Sequence, residues 1–167
     1  LGRIYVWDTI PQTAVANNIA LAQTTSSSIT LTAGTSVKSV INTSGTTVLQ
    51  LDCPRAVNIT SGTGTLTDRN VTITGFDYYG QAMSEVIATG TVQSTTVAGK
   101  KAFYQIVSAT ISGALGATIS VGTTDVFGIP VRVTDGGYIC HVGWAGGFAL
   151  DTGTFVAAAT ATATTTT

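Results

Sequence analysis

The stretch that decides the fold is Asn70-Val-Thr-Ile-Thr-Gly-Phe-Asp-Tyr-Tyr-Gly-Gln-Ala-Met-Ser-Glu-Val-Ile87, in which two alternating segments flank the loop Asp77–Gly80. Apolar residues at every second position are typical of a strand that buries one face. Aspartate at the first turn position accepts backbone hydrogen bonds, and glycine at the last position tolerates a positive φ. The stretch therefore predicts an antiparallel hairpin closed by a type I turn with a bulge.

Similar short β-branched runs, bounded by Gly, Asn, Asp or Ser, recur along the chain. A second hairpin is predicted from the even spacing of apolar residues in Phe103–Ser112 and Ala117–Val121, joined by Gly113–Gly116. The remaining predicted strands are Ile4–Trp7, Ile29–Thr32, Val48–Leu51, Ala56–Thr60 and Tyr138–Val142. Only Val15–Gln23 could form a helical turn or two. The pattern favours an all-β fold, an antiparallel β-sandwich or flattened barrel, with jelly-roll and Ig-like topologies both open.

The two ends differ from the middle of the chain. Residues 1–28 are interpreted as an extended N-terminal arm, and residues 155–167 as an Ala/Thr-rich C-terminal tail with no large apolar residue after Val156. Neither segment carries enough apolar side chains to offset the backbone entropy of ordering it. We therefore predict a β-sandwich domain over residues 29–154, with the arm and the tail outside its core and ordered mainly by neighbouring subunits.

The composition limits the kinds of partner. Charged residues make up 9% of the chain and the formal net charge is -1 at pH 7, and so little surface charge favours association. The seven lysines and arginines are scattered, so they do not form the basic stripe that nucleic acid requires. The most apolar stretch, Gly136–Leu150, is shorter than the ~20 residues that span a bilayer. We expect neither nucleic acid nor a membrane as a partner.

Residues suited to catalysis or metal binding are sparse. His141 is the only histidine, and its neighbour Cys140 would point to the opposite face of a strand. Cys53 and Cys140 lack metal-ligand spacing, and the sequence leaves open whether they are buried free thiols or one long-range disulfide. The seven aspartates stand singly along the chain, mostly at turn-like positions. These observations predict a non-enzymatic protein with no metal and no cofactor.

Glu85 is the only glutamate, and it lies between Met83 and Ile87 on one face of the predicted strand. This position predicts partial burial, with a structural ion pair to Arg55 or Arg69. A glycosidase-like role would need a second carboxylate brought close by the fold, and no acidic pair at a readable spacing suggests one.

Four segments carry a recurring combination of motifs: Asn18–Thr24, Leu51–Ser61, Val71–Ile87 and Lys101–Ser108. An aliphatic-Asp-x-Pro-Arg segment is followed by a Thr-Ile-x-Gly-x-Asp-x-x-Gly-x-x-x-x-Glu hairpin. Over most of residues 17 to 122 this pattern resembles a group of small β-rich structural proteins of tailed-phage virions. The matching positions, which the resemblance implies to be structural, are Pro54, Arg55, Gly75, Asp77, Gly80 and Glu85.

The resemblance implies a capsid decoration or cement protein that stabilises the head of a tailed phage from the particle exterior. Its partners would be copies of itself, for example in a trimer, and the major capsid protein or other virion proteins. Another virion part, such as a tail, collar or fibre base, is the first alternative. A secreted bacterial adhesin or carbohydrate-binding module is the second, because Trp7, Trp144 and the Tyr78-Tyr79 loop tip could stack on sugar rings.

Overall fold

The computed structural model describes residues 9–129 and 165–166. This part of the chain is all-β, as predicted, and contains no helix, hence none of a length that crosses a membrane. The strands are β1 (Ala20–Gln23), β2 (Ser28–Ile29), β3 (Val37–Ile41), β4 (Thr47–Ser61), β5 (Asn70–Phe76), β6 (Ala82–Ala88), β7 (Thr96–Ala98), β8 (Phe103–Ile111), β9 (Ile119–Ile129) and β10 (Thr165–Thr166).

The strands form one open antiparallel sheet, in agreement with the predicted β-sandwich or flattened barrel. Its order is β1-β9-β4-β8-β5-β6, with β2 beside β8, β3 and β7 beside β4, and β10 beside the end of β9. The first part of β4 pairs with β3 and β8, and its last part pairs with β7 and β9. This change of neighbours along one strand of 15 residues lets a single sheet curve around one core.

The change of neighbours in β4 occurs at its polar centre. The register of β4 shifts between Gln50 and Arg55 against β8, and between Arg55 and Val57 against β9. Pro54 lies within this interval and has no N–H to donate to a neighbouring strand. An interrupted ladder of this kind bends a strand and increases its twist.

One apolar core holds the sheet together. The buried positions of β5 alternate, with Val71 and Ile73 fully covered, and Leu51 of β4 and Ile106 of β8 belong to the same cluster. Burying each such aliphatic side chain contributes roughly 1.5–3 kcal/mol to folding. The period-two pattern of the sequence therefore corresponds to one continuous buried face.

The predicted hairpin over residues 70–87 is confirmed, because β5 pairs with β6 in register from Asn70↔Ala88 to Phe76↔Ala82. The predicted second hairpin is wrong: β8 and β9 are not neighbours, and β4 lies between them. Consecutive strands pair often but not always, and here β4 occupies the hydrogen-bonding edge of β8 that a hairpin would have used.

Several strand boundaries also differ from the prediction. The segments Val48–Leu51 and Ala56–Thr60 are parts of the single strand β4, and Ile29–Thr32 is reduced to β2. The short strands β3 and β7 were not predicted. The predicted strands Ile4–Trp7 and Tyr138–Val142 lie outside the described residues.

The prediction that residues 1–28 lie outside the core is wrong for Ile19 and Ala20. Ile19 and Ala20 are fully buried in the apolar cluster, and β1 pairs with β9 through Ala20↔Val121 and Gln23↔Ile119. Val15–Gln23 therefore contains a turn and a strand in place of the helical turns considered from sequence. Backbone pairing with β9 orders this segment, although its few apolar side chains did not indicate that from sequence.

Candidate functional site

The six residues singled out by the sequence fall in two places. Gly75, Asp77, Gly80 and Glu85 lie in the hairpin formed by β5, the loop 77–81 and β6, which we call the outer hairpin. Pro54 and Arg55 lie at the centre of β4, where Pro54 is buried and Arg55 is fully buried.

Asp77 organises the loop of the outer hairpin from inside. Its carboxylate Oδ1 accepts hydrogen bonds from the backbone N–H groups of Tyr79 and Gln81, each at 2.8 Å. Its own N–H donates to the carbonyl of Gln81 at 3.0 Å, and Gly80 N–H donates to the carbonyl of Asp77 at 3.1 Å. Gly80 has a φ of +78°, which a glycine adopts without steric cost. The loop thus has the turn-and-bulge geometry that its sequence predicts.

Gly75 allows the base of this loop to approach β8 closely. A Cβ at this position would lie 2.0 Å from the carbonyl oxygen of Gln105 and 3.0 Å from the Phe103 ring. The register between β5 and β8 shifts at the same point, between Thr74 and Gly75. The absence of a side chain at Gly75 therefore brings the loop tip next to the first residues of β8.

Three tyrosines meet at this tip, and we call Tyr78, Tyr79 and Tyr104 the tyrosine cluster. The ring centroids of Tyr78 and Tyr79 are 5.6 Å apart with perpendicular planes, and those of Tyr78 and Tyr104 are 5.2 Å apart and tilted by 57°. Tyr78 is 44% exposed and Tyr79 is 56% exposed. Burial raises the pKa of the Tyr104 hydroxyl, and the neighbouring Tyr78 and Cys53 add to that rise.

The outer hairpin ends the sheet at β6. Met83 and Ile87 of β6 are buried, whereas its outward side chains, Ala82, Ser84, Val86 and Ala88, are exposed and uncharged. Among the described residues, β5 is the only strand paired with β6. β6 is therefore an edge strand, with one row of backbone groups directed away from the sheet.

Glu85 does not form the ion pair predicted with Arg55 or Arg69, although it is half-buried as expected. Its carboxylate accepts the backbone N–H groups of Lys100 at 2.6 Å and Lys101 at 3.2 Å. Both arginines have other partners, and Arg69 Nε donates to the carbonyl of Ala114 at 2.9 Å. Loop backbone at this position supplies donors that satisfy the carboxylate without a cation.

Two further features belong to this contact between Glu85 and the following loop. Gly99 leaves space for the glutamate, since a Cβ there would lie 2.5 Å from Oε2 of Glu85. Lys101 extends its Nζ to the carbonyl of Ser84 at 2.8 Å. The lysine therefore occupies one acceptor of β6, in the manner by which charged side chains protect sheet edges.

The second place is a polar network that we call the arginine node, made of Arg55, Asp52, Asp125 and the backbone of Gln12. Arg55 Nη1 donates to both carboxylate oxygens of Asp52 at 3.0 and 3.1 Å, and Nη2 donates to Gln12 O at 2.9 Å and to Asp125 at 3.4 Å. Nε donates to the carbonyl of Thr124 at 2.9 Å. Every guanidinium donor of this buried side chain is thus used.

The arginine node also fixes the N-terminal segment to the sheet. Asp52 accepts the N–H of Gln12 at 2.7 Å, and Asp125 accepts the N–H of Ala14 at 3.2 Å. Val15 exchanges hydrogen bonds with Thr123 of β9 through its N–H and its carbonyl. The node therefore links β4 and β9 to the segment that precedes β1.

The chemistry around Cys53 is that of an inert thiol. Cys53 is free and buried, and burial raises the pKa of its thiol from 9.0 to about 12. Thiolates, and not thiols, are the nucleophiles and metal ligands. Cys140 and His141 lie outside the described residues, as do Trp7 and Trp144. Within the described ranges, no group of three or more His, Cys, Asp or Glu side chains is placed to hold a metal ion.

Sequence reasoning missed several residues that build these two places. No sequence pattern marks Tyr104 as part of the site, because only the β5–β8 register brings it to the loop tip. Asp52 lies three residues before Arg55, and the spacing of opposite charges in the Asp-Cys-Pro-Arg segment could have indicated the pair. Comparison with known proteins found no matching family model, no matching curated protein and no matching solved structure.

Proposed function

We propose that this chain is a non-enzymatic structural subunit that acts as one copy among many in a larger assembly. Within that class, we propose a capsid decoration or cement protein on the head of a tailed phage, as the sequence resemblance implies. The observation that carries the assembly role is the edge strand β6, whose outward side chains are exposed and uncharged.

An edge strand of this kind is suited to pairing with another chain. Alternate residues of the seven-residue strand β6 direct their backbone donors and acceptors to the open side. Natural monomers usually protect such edges with several charges, a proline or a bulge. Here the protection within the described residues is the Lys101 ammonium on the Ser84 carbonyl. Val86, 60% exposed at the centre of the strand, would be covered by a strand added to this edge.

The composition supports the same role. With 9% charged residues and a net charge of -1, the protein surface carries little of the repulsion that keeps copies apart. Contacts that are weak singly become strong when they are repeated across a lattice. The expected partners are copies of the chain, for example in a trimer, and the major capsid protein or other virion proteins.

Self-association tests the role of β6 directly. We expect Val86→Lys to weaken association by about tenfold or more, because a paired edge would bury the added charge. Val92→Lys is the matched control, since Val92 is 65% exposed but lies in the loop after β6. Sedimentation velocity over a concentration series, with binding to phage shells that lack the protein, gives the readout.

Two results would contradict the proposal. A wild-type protein that stays monomeric and does not bind shells would remove the assembly role. Association that is equally sensitive to Val86→Lys and Val92→Lys would remove β6 from it. Electron microscopy of intact particles then distinguishes a decoration protein from a tail, collar or fibre-base protein, because the copy number and the position of the chain differ between them.

A further inference from the structure

We infer that the tyrosine cluster is a binding platform for a neutral glycan built from hexose units. This activity is separate from the proposed assembly role, because it uses the loop tip and not the edge of β6. Three observations support it together: the exposure of two adjacent tyrosine rings, the rigid loop that presents them, and the absence of exposed ionised groups in the loop 77–81.

The rings offer faces to a ligand at the surface. Tyr79 is 56% exposed and stands perpendicular to Tyr78, while Tyr78 rests against Tyr104 at 5.2 Å between centroids. Tyr104 is half-buried and anchored in β8. Tyr104 therefore supports Tyr78, and Tyr78 in turn meets Tyr79 at a right angle. One sugar ring can then lie on an exposed tyrosine face while the next sugar unit contacts a ring edge.

The loop is pre-organised for binding. The buried carboxylate of Asp77 holds the N–H groups of Tyr79 and Gln81 at 2.8 Å, and the turn closes through two backbone hydrogen bonds. A ligand that binds a rigid loop does not have to supply the free energy of ordering it. Tyrosine adds a large rigid contact area at a low entropic cost, because it has only two side-chain torsions.

The chemistry of the tip favours an uncharged ligand with both C–H faces and hydroxyl groups. Asp77, the one carboxylate of the loop, is 1% exposed and therefore does not attract a cation at the surface. The C–H face of a pyranose stacks on an aromatic ring, and a phenolic hydroxyl can exchange hydrogen bonds with its hydroxyl groups.

Titration of the isotopically labelled full chain with cellohexaose and with maltohexaose tests the site. We expect at least one of them to shift the backbone amide signals of residues 78–81, with a Kd of roughly millimolar order. Tyr79→Ala is expected to weaken binding about five- to tenfold through loss of one stacking face. Tyr79→Phe, which keeps the ring, is expected to stay within about twofold of wild type.

Matched variants separate this site from the assembly role. Val86→Lys is expected to keep glycan binding, and Tyr79→Ala is expected to keep self-association. The amide spectrum outside the loop shows whether each variant is folded. The inference is overturned if neither hexaose shifts the amide signals of residues 78–81 at a sugar concentration of about 10 mM. It is also overturned if the Tyr79→Ala variant binds the hexaose as tightly as the wild type does. Binding of a proline-rich peptide at the tip in place of both sugars would also overturn it.

Discussion

Replacing Arg55 by methionine should cost about 3–5 kcal/mol of unfolding free energy, because it breaks a buried ion pair from one side. The guanidinium is fully buried, and its removal leaves Asp52, whose side chain is only 15% exposed, without a cation. The carbonyls of Thr124 and Gln12 lose donors at 2.9 Å. Asp125 contributes little, since its contact is 3.4 Å long and its side chain is 69% exposed.

Asp125→Asn is the control for this prediction, with an expected loss below about 1 kcal/mol. Domains of this size have a free energy of unfolding of only about 5–15 kcal/mol, so the Arg55→Met substitution would remove a large fraction of the total stability. Urea unfolding of the wild type and both variants measures the difference. Hydrogen exchange adds a local readout, because the amides of Gln12 and Ala14 should lose protection in Arg55→Met. Equal stability of the two variants, with the Gln12 amide still protected, would refute the structural role of the node.

Two other predictions concern the hairpin and the buried thiol. Gly75→Ala should lower the free energy of unfolding by about 1–3 kcal/mol, because the added methyl group overpacks against the carbonyl of Gln105. Gly80→Ala should lower it by only about 1 kcal/mol, because its methyl group meets no atom and only the positive φ disfavours it. A larger loss for Gly80→Ala in urea unfolding would contradict this. Burial raises the pKa of the Cys53 thiol in the folded protein from 9.0 to about 12. As the pH rises, the unfolded chain therefore loses this proton before the folded protein does. The free energy of unfolding should fall by up to about 1.4 kcal/mol per pH unit between these two pKa values. Cys53→Ala should flatten that alkaline loss, and an unchanged slope would count against a buried thiol.

The outer hairpin could be predicted from sequence because its determinants are local. Alternation of apolar residues sets the two faces of β5 and β6, and Asp77 and Gly80 specify the turn through their own hydrogen-bonding and φ preferences. The same local alternation, repeated along the chain, sufficed for the all-β class. Neither feature depends on which strand lies beside which.

The pairing of β8 with β4 could not be predicted from local sequence patterns. Adjacent runs in sequence suggested a hairpin between β8 and β9, yet β4 separates them. Non-local pairing depends on shape and on hydrogen-bonding edges that exist only after the sheet has curved. The segment around Pro54 looked like a break between two strands, whereas it is the bend within one.

The sequence by itself determined the strand-forming character of the chain, the hairpin of residues 70–87 and the low charge that favours association. Only the tertiary structure decided the partners of the charged residues and the neighbours of the aromatic ones. Arg55 binds Asp52 and the N-terminal backbone, Glu85 binds a loop, and Tyr104 joins Tyr78. The reason is physical: turns and alternation act within a few residues, whereas a buried charge or ring takes its partner from whatever the folded sheet brings within hydrogen-bonding or contact distance.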